Sequence, residues 1–255
     1  MSDKPLTFNQ TIRGITEFIE VAIHTILYVR QIYPADLFIR RKKYDTPVFQ
    51  SRHPVLNEYI SGAVKAIGEE LVQGHVDKVV VVIKDKEQVA LERFIFSVEN
   101  MIEVEAFNKD TSVEEAMTAA TLGQYFRAFL VKLTMVESQL GQMYMGSEVS
   151  FAIVLELKDN KVPSAPRPTE PAPWIPANAQ DTTPGAEADA ETLMIRAVNT
   201  GVINLSLAVQ ESAVKLQREK AARVKAKQEA AASSMVEPKV PVPQQPEPTT
   251  TTEQS

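Results

Sequence analysis

The chain has 255 residues, of which 44% are hydrophobic, and its formal net charge is −6. This length allows one sizeable core with extensions rather than several full domains. An acidic chain is a poor candidate for a dedicated DNA-binding protein, because affinity for phosphates comes mainly from clustered Lys and Arg. The absence of cysteine excludes disulfide bridges, thiolate metal sites and cysteine catalysis.

The N-terminal residues lack the pattern of a secretory signal. No stretch of the sequence approaches the roughly 20 apolar residues that a membrane-spanning helix needs. We therefore expect a soluble protein of the cytosol or the nucleus, with no membrane partner.

The first quarter of the chain predicts two helices. Apolar residues recur at steps of three and four over residues 12–29, which is typical of a helix buried on much of its circumference. Pro34 ends this region, and Pro54 begins a second helix whose predicted end is Gly74. The basic run between them, residues 40–43, has three interpretations: a nucleic-acid patch, a nuclear address, or a solvated connection between helices.

The next part of the chain predicts a sheet and a third helix. The β-branched run at 78–83 does not alternate, which predicts a central strand covered on both faces. Residues 89–99 predict its hairpin partner, and 148–157 a later strand. The third helix is expected to start at Thr111 or Ser112, each of which has an acidic residue at the spacing of a capping box. Its predicted core face comprises Leu122, Phe126, Phe129, Leu133, Val136 and Leu140.

The composition changes at Lys158. The following residues are rich in Pro, Ala and acids, contain the only tryptophan, Trp174, and fit no packed element. A loop of about thirty residues inside a compact domain is improbable unless it is functional or mobile. Order resumes near Leu193, and residues 201–210 alternate as a half-buried strand does. The buried face of that strand is predicted to comprise Ile203, Leu205, Leu207 and Val209.

The C-terminal residues differ from the rest in composition. Residues 212–235 are basic and Ala-rich and predict a helix, whereas 236–255 are rich in Pro and Thr and predict a disordered tail. The basic helix has two interpretations: a local contact with DNA phosphates, or a solvated linker helix.

No group of residues forms a convincing active site. The three histidines, His24, His53 and His75, lack metal-ligand spacing, and the sequence has no Gly-rich phosphate loop and no GxSxG motif. We predict no catalytic residue, no metal and no cofactor, and an enzyme remains an alternative without named residues. Trp174 is interpreted either as a local packing residue or as an anchor at a partner interface.

Six stretches of the sequence carry a family resemblance: EFIEVAIHTILYVRQIYP, FIRRKKYDTPV, HPVLNEYI, DKVVVVIKDKE, FRAFLVKL and PWIPANAQD. They resemble the mitotic-arrest-deficient-2-like branch of the HORMA-domain family, which supplies the non-catalytic subunit of the translesion polymerase DNA polymerase zeta. The resemblance runs from about residue 17 to 99, resumes in the third helix and around Trp174, and does not cover 212–255.

The resemblance implies an α+β HORMA domain over residues 8–211, with three helices packed on a mainly antiparallel sheet. Residues 8–157 would be its core, and 158–211 a mobile C-terminal safety belt that closes over a partner peptide. The implied function is that of a nuclear adaptor in translesion synthesis and DNA damage tolerance. It would bind a Pro-containing peptide of the polymerase zeta catalytic subunit under the belt. The alternative is a spindle-checkpoint or meiotic HORMA protein that binds a different peptide with the same belt.

The resemblance also implies particular functional residues. Those implied for partner-peptide binding are Tyr59, Trp174 and Leu193. Those implied for a HORMA homo- or heterodimer are Arg127, Arg40, Ser138 and Lys132. The family also binds the C-terminal domain of the Y-family inserter polymerase, but this chain departs from the family pattern there with Ser206 and Ala208. Any DNA contact is expected to be indirect or to come through the basic helix.

Overall fold

The structure is a computed structural model that describes residues 4–102, 108–141, 143, 149–165, 173–186 and 188–234, without the side chains of 223, 225–227 and 229–234. The chain divides into two compact units, residues 1–218 and 219–255. Among the described residues, no helix is both long enough and apolar enough to cross a membrane. The predicted tail at 236–255 lies outside the described residues.

The described part of the chain contains five α-helices, seven strands and two single-turn 3-10 helices, Ala35–Leu37 and Ala179–Asp181. The α-helices are α1 (Phe8–Val29), α2 (Pro54–Gln73), α3 (Ala119–Thr134), α4 (Glu137–Leu140) and α5 (Ala213–Ser234). The strands are β1 (Phe38–Lys43), β2 (Thr46–Ser51), β3 (Val76–Asp85), β4 (Ala90–Asn100), β5 (Val149–Leu157), β6 (Glu191–Asn199) and β7 (Ile203–Glu211). Strands β1 and β2 form a hairpin, and the other five form an antiparallel sheet in the order β5-β3-β4-β7-β6. The α+β class is therefore confirmed.

The ends of the first two helices follow from local sequence. Thr7 and Gln10 form a capping box at the start of α1, which satisfies two of the free N–H groups at that end. His53 caps α2, and Pro54 follows it in the first turn. Gly74 ends α2 with φ 75°, a left-handed conformation that glycine adopts without steric cost. The predicted bounds of α2 are confirmed.

The main core lies between the helices and one face of the five-stranded sheet. The Phe18 ring of α1 stacks on Phe126 of α3 at 4.5 Å between centroids and meets Phe96 of β4 edge-on at 6.2 Å. Strand β3 is paired on both sides, and residues 79–83 are fully buried. The prediction of a central strand covered on both faces is confirmed.

The basic run at 40–43 belongs to the β1–β2 hairpin rather than to an irregular connection. Tyr44 and Asp45 form its two-residue turn with φ of 49° and 55°, and Lys43 pairs with Glu17 of α1. The sequence pattern did not predict these strands, because β1 carries charged residues in succession instead of alternating apolar with polar ones.

Helix α3 begins later than the sequence predicted. Its cap is Thr118, whose side chain accepts from the Thr121 N–H at 3.3 Å, so the expected start at Thr111 or Ser112 is wrong. Ser112 instead bridges to Thr7 beside the start of α1, and the Val113 N–H donates to the Leu6 carbonyl. The acidic residues matched a capping box, but Ser112 and Val113 pair with the N-terminal residues, and the turn that follows is closed by the Ala116 N–H donating to the Val113 carbonyl.

The last two strands extend the sheet beyond β4. Strand β7 pairs with β4 along its length, and the predicted buried face of β7 is confirmed. Strand β6, which the sequence pattern did not predict, is an edge strand and is largely exposed. An edge strand with few buried side chains lacks the alternation that identifies strands in sequence.

Candidate functional site

A cavity of about 1100 Å³ lies between α2, β5 and the residues that follow β5. Its walls are Tyr59 and neighbouring residues of α2, residues 152–155 of β5, and residues 173–178 of the chain that crosses over it. We call residues 158–190, which join β5 to β6, the crossing segment. A pocket of this size that is closed by a loop is a candidate binding site.

Strand β5 gives the cavity one wall of main chain. It is the terminal strand of the five-stranded sheet and pairs only with β3 among the described strands. The opposite edge of β5 therefore carries main-chain donors and acceptors without a strand partner. Such an edge can take an extended peptide as an additional strand.

Part of the cavity lining is aromatic and apolar. Tyr59 is 47% exposed, and its ring meets Phe151 edge-on at 5.6 Å. Trp174 reaches the same cavity from the crossing segment, and its buried indole N–H has no hydrogen-bond partner among the described residues. Ile175 beside it is 89% exposed. The structure thus brings two of the predicted peptide-binding residues together, with room between them.

The cavity lining also includes a pair of charged residues. Lys84 of β3 and Asp181 of the crossing segment both line it, with 3.2 Å between Lys84 Nζ and Asp181 Oδ2. Asp181 is only 4% exposed, yet its Oδ1 has no partner among the described residues. Because a buried acceptor without a donor is costly, this oxygen is suited to a donor from a bound molecule.

Side chains of α2, β4 and β5 hold the described parts of the crossing segment over the cavity. Near its start, Ser164 donates its N–H to Glu70 Oε1 and its hydroxyl to Oε2. Further along, the Thr183 hydroxyl donates to Glu156 Oε2 at 2.6 Å, and Arg93 donates to the Gln180 carbonyl. The described parts of the crossing segment are therefore held against α2, β4 and β5.

Leu193 is not part of this cavity. It lies on β6 at the opposite edge of the sheet and pairs there with Val209. A peptide that contacts Tyr59 and Trp174 along β5 is separated from Leu193 by the three strands between β5 and β6. The structure therefore does not bring Leu193 together with Tyr59 and Trp174, and its role in partner binding stays a prediction.

The predicted dimer residues lie on several elements. Arg127 on α3, Ser138 on α4 and Arg40 on β1 are all exposed. Arg127 is close enough to the β1–β2 turn to contribute to the lowered pKa of Asp45, after the hydrogen bond and charge of Lys42. Lys132 differs from these residues, because its amine donates to the Ile195 carbonyl of β6 at 3.0 Å. Dimerisation through these residues remains a prediction.

The motif search missed Lys84, Asp181 and Glu70. Asp181 does stand at the end of the stretch PWIPANAQD, but nothing in its spacing indicates a lysine partner almost a hundred residues earlier. In the part of the chain that the structure describes, no group of three or more His, Asp and Glu residues is arranged to hold a metal ion.

Residues 12–203, three quarters of the chain, match the HORMA domain. The chain belongs to the HORMA family. The DNA polymerase zeta processivity subunit of Schizosaccharomyces pombe is 36% identical over 198 residues, which cover 76% of this chain and 90% of that protein. The human mitotic spindle assembly checkpoint protein MAD2B is 31% identical over 224 residues, which cover 84% and 98%. This HORMA family is non-catalytic, so the chain is not an enzyme.

Solved structures of low identity share this HORMA fold. A chain of the mitotic checkpoint complex superposes with a TM-score of 0.63 at 22% identity, covering 79% of this chain and 98% of that one. Caenorhabditis elegans HTP-2 bound to the HIM-3 closure motif gives a TM-score of 0.61 at 10% identity, with 80% and 91% covered. These likenesses confirm the predicted α+β HORMA fold, with helices on a mostly antiparallel sheet.

Proposed function

We propose that this HORMA domain is the accessory subunit of DNA polymerase zeta and binds a Pro-containing segment of the catalytic subunit beneath the crossing segment. The observation that carries the proposal is the cavity in which Tyr59 and Trp174 converge beside the unpaired edge of β5. The relationship to the Schizosaccharomyces pombe processivity subunit over most of both chains supports this choice of partner.

Each wall of the cavity has a role in this proposal. The partner segment adds as an extended strand to the free edge of β5, and main-chain hydrogen bonds hold it there. Tyr59 and Trp174 pack against an apolar or proline side chain of the partner, since aromatic residues are common anchors at interfaces. At the charged pair, Asp181 Oδ1 accepts a hydrogen bond from a donor of the partner.

Closure of the crossing segment sets the kinetics of this complex. A partner beneath residues 158–190 dissociates only when those residues move away, because α2 and β5 hold them near Ser164 and again near Thr183. Slow release is therefore expected, with the rate limited by opening of the crossing segment rather than by the contacts of the peptide alone.

The wider role that we propose is translesion synthesis and DNA damage tolerance in the nucleus. The bridge to the C-terminal domain of the inserter polymerase would use the exposed β6 edge and the neighbouring β7, where Ser206 and Ala208 stand. The small side chains at these two positions favour a weaker second contact than the family pattern implies. A HORMA dimer through Arg127 and Arg40 belongs to the same proposal.

A direct binding measurement tests the first contact. A fluorescent Pro-containing segment of the catalytic subunit is titrated with the wild-type chain and with the Tyr59→Ala/Trp174→Ala variant, and anisotropy is recorded. Loss of two anchors at about 2 kcal/mol each weakens binding about a thousandfold. The control is Tyr125→Ala, which removes a half-buried tyrosine of α3 outside the cavity.

Unchanged affinity in the double variant would mean that the partner binds elsewhere. The same assay with closure-motif peptides of checkpoint and meiotic HORMA complexes addresses the alternative. Tight binding of one of those peptides, together with no binding of the polymerase segment, would replace the polymerase with a checkpoint or meiotic partner.

A further inference from the structure

Four buried charges meet where α1, β4, β7 and α5 come together, away from the cavity. Arg30 at the end of α1 holds Glu92 of β4 with two hydrogen bonds, Nε to Oε2 at 2.9 Å and Nη2 to Oε1 at 2.6 Å. Lys215 of α5 contacts Glu92 Oε1 at 2.7 Å and also pairs with Glu211 of β7. We call these four residues the charge cluster.

The register of the closing strand explains why a lysine is needed in the charge cluster. Pairing of β7 with β4 sets Glu211 directly opposite Glu92. Two carboxylates that face each other across strands repel, and burial makes the repulsion larger. Arg30 offsets one of the two negative charges, and Lys215 offsets the other. Loss of Lys215 would remove one of the two cations that contact this facing pair of carboxylates.

The start of α5 makes further contacts with β3, β4 and α4. The Ser212 N–H donates to the Leu91 carbonyl at 2.9 Å, and Lys215 Nζ donates to the Leu140 carbonyl at 3.2 Å. One turn later, Arg218 Nη1 contacts Asp85 Oδ2 at 2.8 Å.

The contact with Arg218 also affects the charge of Asp85. Burial by itself raises the pKa of Asp85, but hydrogen bonds from Arg218 and from the Val89 N–H outweigh the effect of burial and lower that pKa.

The docking of β7 on β4 also determines how the crossing segment is attached to the sheet. The crossing segment leaves the sheet at Leu157, the end of β5, and rejoins it at Glu191, the start of β6. Strand β6 is hydrogen-bonded only to β7 in the sheet, and β7 is hydrogen-bonded to β4. A molecule beneath the crossing segment is thus encircled as long as β7 stays on β4.

We propose that Lys215 locks the closed form, because it makes the docking of β7 on β4 favourable and so keeps the crossing segment tethered at both ends. Lys215 lies beyond residue 203, where the match to the HORMA domain ends. Lys215 and Arg218 belong to the basic helix for which a DNA contact was one interpretation, but in the structure they contact Glu92, Glu211 and Asp85. The lock acts on the chain itself and does not depend on which partner fills the cavity.

Hydrogen exchange of the full chain, followed by mass spectrometry and without any partner, tests the lock. Lys215→Met is expected to increase exchange of β6 and β7 amides at least tenfold, while β3 and β5 keep their protection. The control is Lys220→Met, which removes an exposed lysine of the same helix and leaves exchange unchanged. Unchanged β7 exchange in Lys215→Met, or equal acceleration in β3 and β5, would overturn the proposal.

A second variant keeps the test decisive if Lys215→Met fails to fold. Adding Glu211→Gln removes one of the two opposed carboxylates, so Lys215→Met/Glu211→Gln is expected to fold and to recover most of the protection of β7. If the double variant exchanges as fast as the single variant, or remains unfolded, repulsion between the two glutamates is not what Lys215 relieves, and the lock is wrong.

Discussion

At the scale of single residues, His24 shows how burial sets the charge of a side chain. It lies in α1 and is 3% exposed, and its Nδ1 accepts from the Ser51 N–H at 3.4 Å. Burial lowers the pKa of His24 to about 4 from a usual value of 6.5. The imidazole is therefore neutral at neutral pH and serves as an acceptor that ties β2 to α1.

This pKa predicts a loss of stability in acid. As the pH falls below about 6.5, the unfolded chain binds a proton at His24 that the folded chain does not bind until about pH 4. The lost stability approaches about 3 kcal/mol over this window. Urea unfolding at pH 7.5 and pH 4.5 measures it, with His24→Gln as the variant that cannot titrate. Equal losses in the two proteins would contradict the assignment to His24.

The pair of Lys84 and Asp181 makes a prediction about stability. Both side chains are almost buried, so Asp181→Leu alone leaves an unpaired buried ammonium and is expected to cost about 3 kcal/mol or more. Adding Lys84→Met removes that charge and is expected to restore most of the loss. Urea unfolding of the two variants measures both effects. If the double variant is no more stable than the single one, the ion pair is not coupled as the structure indicates.

Individual residues were predicted from sequence to different extents. The resemblance named Tyr59 and Trp174 in advance, and both line the cavity. Lys84 and Asp181 could not be found in this way, because their contact depends on the path of the crossing segment over the sheet. Lys215 was interpreted as one cation of a basic helix, since its two acidic partners become neighbours only in the β4–β7 register.

At the scale of elements, the turn between β6 and β7 has a strict requirement for glycine. Gly201 has φ 80°, and a Cβ there would lie 2.0 Å from the Glu115 carbonyl oxygen. That oxygen belongs to the backbone and cannot move aside as a flexible side chain would. The turn thus needs glycine both for its conformation and for its close contact with residues 115–116.

Two glycine substitutions are therefore expected to have opposite effects. Gly201→Ala should lower the free energy of unfolding by about 2 kcal/mol or more, through left-handed strain and the clash with Glu115. Gly62→Ala should raise it by about 0.5–1 kcal/mol, because Gly62 is in α2 and a Cβ there meets nothing within 4 Å. Chemical denaturation of both variants measures this contrast, and a stable Gly201→Ala would contradict the turn geometry.

Elements with strong periodicity were predicted well, and those shaped by distant contacts were not. Helix α2 was bounded by Pro54 and Gly74, whose backbone preferences act locally. The start of α3 was predicted too early, because Ser112 and Val113 pair with the N-terminal residues instead of starting the helix. Strands β1 and β6 were missed since one carries consecutive charges and the other is an exposed edge.

At the scale of the whole molecule, two strands of the sheet have different roles. The free edge of β5 forms one wall of the cavity, whereas β4, inside the sheet, pairs with β7, which is joined through β6 to the far end of the crossing segment. The improbable length of residues 158–190 indicated a functional loop from sequence alone. Which side chains hold the described parts of this loop followed only from three-dimensional contacts. The domain boundaries at 211 and 235 stay predictions, although the first compact unit extends to Arg218.

The most direct test of the central claim is hydrogen exchange of the full chain with and without the Pro-containing segment of the catalytic subunit. If the segment adds to the sheet beneath the crossing segment, exchange slows at β5 amides that face away from β3 and at residues 173–181. Strand β6 and helix α3 keep their free-state rates. Protection confined to β6 or to α3, with β5 unchanged, would contradict the account and place the partner on another face of the domain.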